Sequence, residues 1–67
     1  GMEAVEALRL LRENRYNVIR VVDENLRTLG ELDEQMLLTG MVRLGSQATV
    51  RELLSLRKRM AMDTISG

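Results

Sequence analysis

The chain has 67 residues, ten Lys and Arg balanced by ten Asp and Glu, and neither Cys nor His. That length allows one domain, 1–67, and the missing residue types exclude disulfides, make a zinc site unexpected and remove the usual nucleophile–base pairs of hydrolytic enzymes. A zero formal charge gives no global field toward nucleic acid or an anionic membrane.

Gly1 before Met2 reads as a residue left by tag removal. With Leu8 at position a of a heptad, the a positions are Leu8, Arg15, Val22, Leu29 and Met36. The d positions are Ala4, Leu11, Val18, Asn25, Leu32 and Thr39, and position f holds Glu6, Glu13, Arg20, Arg27 and Glu34. An apolar seam opposite a charged ridge predicts one long amphipathic helix over about residues 3–38. Val5, Ala7, Ile19, Val21 and Leu26 widen the seam beyond a two-stranded coiled coil and favour a bundle. Gly30 falls at an outer position of the frame, so the seam is expected to run through it. The rival arrangement has three helices, with a break near Gly30 and a short helix over about residues 31–44.

Residues 39–46, with Gly40 and Gly45, read as a loop. A second helix is expected over about residues 47–65, capped by Ser46 or, one turn later, by the Thr49-Val50-Arg51-Glu52 capping box. Its inner side would hold Val50, Leu53, Leu54, Met60, Ala61 and Ile65. Helices of about 54 and 28 Å, at 1.5 Å per residue, leave half of the first seam uncovered in a single hairpin. The expected fold is therefore all-α, a helical hairpin completed by a second copy into a homodimeric four-helix bundle. The expected interface is Val5, Leu8, Leu11, Arg15, Val18, Ile19, Val22, Asn25, Leu29, Leu32 and Met36.

The polar residues give little chemistry. Arg15 and Asn25 within the seam read as register control. Asp23 and Glu24 are neighbours on a helix and point too far apart to act as an acid–base pair. Asp23–Arg27, Arg9–Glu13, Arg20–Glu24, Arg27–Glu31 and Arg59–Asp63 are spaced for surface ion pairs along a helix. Glu31, Asp33 and Glu34 lack a calcium-loop spacing. Arg51, Arg57, Lys58 and Arg59 form a basic cluster without the aromatic residues that stack on bases. The expected function is a non-catalytic structural or protein–protein interaction module that self-associates, without cofactor or metal. The alternatives are a small helical chaperone or regulator acting on a different protein, and a nucleic-acid-binding regulator using Arg51 and Arg57–Arg59. No apolar run is long enough to cross a bilayer, and a cytoplasmic location is expected.

Overall fold

The computed structural model describes the backbone of residues 2–66 and the side chains of residues 2–61. It is mixed α/β. In chain order come α1 (Ala4–Asn14), β1 (Val18–Val22), β2 (Thr28–Asp33), α2 (Glu34–Leu44) and α3 (Val50–Ser66). The all-α expectation is wrong, and with it the continuous helix over residues 3–38, the helical hairpin, the coiled coil and the four-helix bundle built from it. The three-helix rival also lacks the strands.

The first helix stops at Asn14. Arg15 takes a left-handed conformation (φ 57°), and the amides of Arg15 and Tyr16 both donate to the Leu11 carbonyl. A left-handed residue closing the last turn in this way ends the helix. Four of the next five strand residues, Val18, Ile19, Val21 and Val22, are β-branched and favour extended backbone. The heptad frame fitted this stretch because a spacing of four residues is also two pleats of a strand. Val18 and Val22 share a face in either structure; only the β-branching tells them apart.

β1 and β2 form an antiparallel hairpin pairing Ile19 with Leu32, Arg20 with Glu31 and Val21 with Gly30, with a bulge between Val21 and Val22. Ile19, Val21, Gly30 and Leu32 face the helices, whereas Val18, Arg20, Val22, Leu29 and Glu31 face outward. At the turn the Asp23 carboxylate accepts hydrogen bonds from the amides of Asn25 (2.8 Å) and Arg27 (3.0 Å). The Asp23–Arg27 ion pair is therefore formed at 3.2 Å, within a hairpin turn and not along a helix.

Asp33 ends β2 and caps α2, accepting the Met36 amide at 2.8 Å. Most of the expected loop, residues 39–44, is the second half of α2. The actual connection runs from Gly45 (φ 98°) to Thr49. Ser46 and Gln47 lie in that turn, so Ser46 caps no helix. The capping box is formed: the Glu52 amide donates to Thr49 Oγ1 (3.2 Å) and the Thr49 amide to Glu52 Oε1 (2.8 Å).

The core joins Ala4, Ala7, Leu8 and Leu11 of α1, Val21 and Leu32 of the hairpin, Leu37 of α2, and Ala48, Val50, Leu53 and Leu54 around α3. Ala61 is exposed instead of lining it. Ile65 and the Arg59–Asp63 pair fall outside the described side chains. Two glycines let α3 approach. Leu53 sits where a Cβ on Gly40 would stand, and Leu54 where a Cβ on Gly30 would. Gly30 thus packs inward in a strand and does not lie at the outer position of a helix. Near α1 a short antiparallel bridge joins Glu3 to Thr49: the Ala4 amide donates to Ala48 O (2.7 Å) and the Val50 amide to Met2 O (2.9 Å).

Candidate interaction surface

The residues expected to form one seam are divided among several surfaces. Leu8, Leu11 and Leu32 are buried in the chain's own core, and Ile19 and Met36 pack partly against it. Val5 is exposed on α1, and Arg15 lies at its left-handed end. Val18, Val22 and Leu29 lie on the outer face of the hairpin, and Asn25 lies in its turn. These positions do not converge on one face.

The arrangement creates a different apolar face, in which Met41 and Val42 of the expected loop join Val5 and Leu38 of the expected long helix. Arg12 near the end of α1 pairs with Glu34 at the start of α2 (2.9 Å), while Ala4 at the start of α1 bonds to Ala48 just beyond the end of α2. The two helices therefore run antiparallel. Val5 lies two turns before Arg12 on its side of α1; Leu38 and Met41 lie one and two turns after Glu34 on its side of α2. Val42 follows Leu38 by one turn and is 87% exposed. Val5 and Leu38, at 48% and 41%, extend this apolar flank across both helices. The local signal was available in sequence: Leu37, Leu38, Met41 and Val42 have helical spacing behind an Asp that can cap.

A second feature lies beside β1. A groove of about 250 Å³ is lined by Met2, Ile19, Arg20, Val21, Val22, Val50 and Arg51. Consecutive strand residues point to opposite faces, so a depression touching four in a row follows the strand's edge. Its opposite wall is the start of the chain and the start of α3, where Met2 and Val50 are tied together.

The charged residues are mostly engaged locally. Arg20 pairs with its cross-strand neighbour Glu31 (3.9 Å), and Arg51 with Glu24 (3.6 Å), in place of the helical Arg20–Glu24 and Arg27–Glu31 spacings. Arg57 donates to the Glu31 carbonyl, so one member of the expected basic cluster is tied to the hairpin. Asp33 is the cap of α2 and Glu34 the partner of Arg12; among the described residues no acidic cluster forms a cation site. Two carboxylates titrate below their ordinary range. For Asp23 the leading cause is the Arg27 amide, helped by the Asn25 amide and the Arg27 side chain against some desolvation. For Glu52 it is the Thr49 amide and then the Thr49 hydroxyl. Both carboxylates are committed to turn and cap hydrogen bonds.

Among the described residues no helix is long and apolar enough to cross a membrane. No protein-family model, curated protein or solved structure matches the chain.

Proposed function

We propose that the chain is a non-catalytic protein–protein interaction module of the cytoplasm, and that it self-associates through the α1–α2 flank. The observation that carries this reading is the apolar flank of Val5, Leu38 and Val42, with Val42 87% exposed on a regular helix. Apolar residues exposed together across neighbouring elements, as distinct from ones scattered singly, are the kind of surface that marks sites of association. The size of the chain gives a reason for a second copy to be the partner. A core of this scale supplies only about 3–5 kcal/mol, and this sequence has no Cys for a disulfide staple. The Arg12–Glu34 pair is already neutralised, so two flanks meeting about a two-fold axis oppose no net charge at that point.

Light scattering at micromolar concentration is expected to give a mass above the monomer value of 7.6 kDa. Val42→Asp, a change on an exposed helix face, is expected to weaken association at least about tenfold while leaving the circular dichroism spectrum intact. A wild-type protein that remained monomeric would defeat the reading. If the monomeric protein instead co-purified with one native partner lost in Val42→Asp, the same face would serve a different protein. The nucleic-acid alternative is less favoured, because Arg57 is tied to the Glu31 carbonyl and the cluster has no aromatic residue to stack on bases.

A further inference from the structure

We infer that the edge of β1 is a docking groove for a short extended peptide carrying a carboxylate between apolar residues, bound as an added strand. In the described sheet β1 is paired with β2 alone, so one row of its backbone amides and carbonyls has no sheet partner. The groove beside it holds both halves of a strand-recognition site: an open backbone edge and a wall for alternate side chains. Ile19 and Val21 point inward, and with Met2 and Val50 they give an apolar floor. Arg20 and Arg51 stand at the same groove, and no carboxylate lines it. Their present partners, Glu31 at 3.9 Å and Glu24 at 3.6 Å, are exposed pairs that an incoming carboxylate can displace at little cost.

Charge selects the occupant. A second copy adding its own β1 antiparallel along the whole strand, with inward residues kept inward, sets Arg20 opposite Arg20. Like charges directly across a sheet are destabilising. A peptide with an acidic residue at that position turns the repulsion into a cross-strand ion pair. Its neighbours on either side face the apolar floor beside Ile19 and Val21, and the next residues lie beside Val18 and Val22. The fitting sequence is therefore apolar or β-branched on both sides of a central Asp or Glu.

The test uses the full chain and an acetylated Thr-Val-Glu-Val-Thr amide, whose palindromic sequence places Glu opposite Arg20 in either strand direction. In an amide NMR titration, saturable shifts are expected at Ile19, Arg20, Val21 and Val22. Replacing the central Glu of the peptide by Lys is expected to weaken binding about 3- to 10-fold, with no change made to the protein. Arg20→Glu is expected to reverse the preference and favour the Lys peptide. N-methylation should abolish binding at one alternating set of peptide amides and spare the other, as only a paired strand requires. Absence of shifts, equal binding of the Glu and Lys peptides, or indifference to N-methylation would overturn the inference. Shifts that followed protein concentration and not peptide would assign the edge to a second copy and also overturn it. The Val42→Asp variant should bind the peptide as wild type does, which separates this groove from the self-association flank.

Discussion

Leu26 occupies the left-handed region (φ 63°) at the tip of the hairpin with its side chain 81% exposed. The turn around it explains why a leucine is forced there. The Leu26 amide bonds to Asp23 O and the Asp23 amide to Arg27 O, the pattern of a type I turn followed by a left-handed residue. Glycine is the ordinary occupant of that position. Leu26→Gly is expected to stabilise the chain by about 0.5–1 kcal/mol, the left-handed penalty less the extra freedom of glycine in the unfolded chain. Urea unfolding measures it, and a lower midpoint would contradict the turn geometry. Asp23 and Glu52 make a separate prediction. Both hold their protons more weakly in the folded chain than in the unfolded one, so acid favours unfolding. Their contribution is complete above the ordinary carboxylate range and is lost as pH falls through the lowered values, below about pH 4. The urea midpoint is expected to decline over that window, and less steeply in Asp23→Asn.

At the scale of elements, the contact between α2 and α3 rests on Gly40. A Cβ there would stand 2.3 Å from Leu53 Cγ, with branched atoms of the same side chain at 2.6 and 3.0 Å. Leu53 is fully buried and cannot swing away. Gly40→Ala should gain about 1 kcal/mol of helix propensity and lose about 1–3 kcal/mol to overpacking, a net loss. Leu53→Ala alone should cost about 2–5 kcal/mol, and the double variant less than the sum of the two. Additive losses in the unfolding data would contradict the close approach. The same elements show what was legible in sequence. The α3 capping box is stated outright by Thr49 and Glu52, and Val50, Leu53 and Leu54 by their helical spacing. The hairpin was hidden because its apolar residues fit a helical period and its turn lacks the glycine that usually marks one. Gly30 and Gly40 were misread for a related reason: both serve a leucine on α3, a partner distant in sequence.

For the whole molecule, the hairpin changes which surfaces remain to be covered. A continuous helix would have left Val5, Leu8, Leu11 and Val18 on one open seam. Folding the chain back buries Leu8 and Leu11, leaves Val5 on α1 and Val18 on the hairpin, and leaves Leu38 and Val42 exposed on α2, which runs antiparallel to α1. The expectation of exposed apolar surface survives only in general terms. Its location depends on the antiparallel order of α1 and α2, which no local pattern specifies. The Glu3–Thr49 bridge has a consequence for how the molecule opens. Its two hydrogen bonds, Ala4 to Ala48 and Val50 to Met2, enclose α1, the hairpin and α2, so neither forms until that intervening chain has closed into a loop. They should break as one event. In native-state hydrogen exchange, the amides of Ala4 and Val50 are expected to open with a common free energy, close to that of global unfolding. Widely different protection at these two amides would mean that the start of the chain frays independently. A shared value would make this small bridge the clasp through which the fold becomes all-or-none.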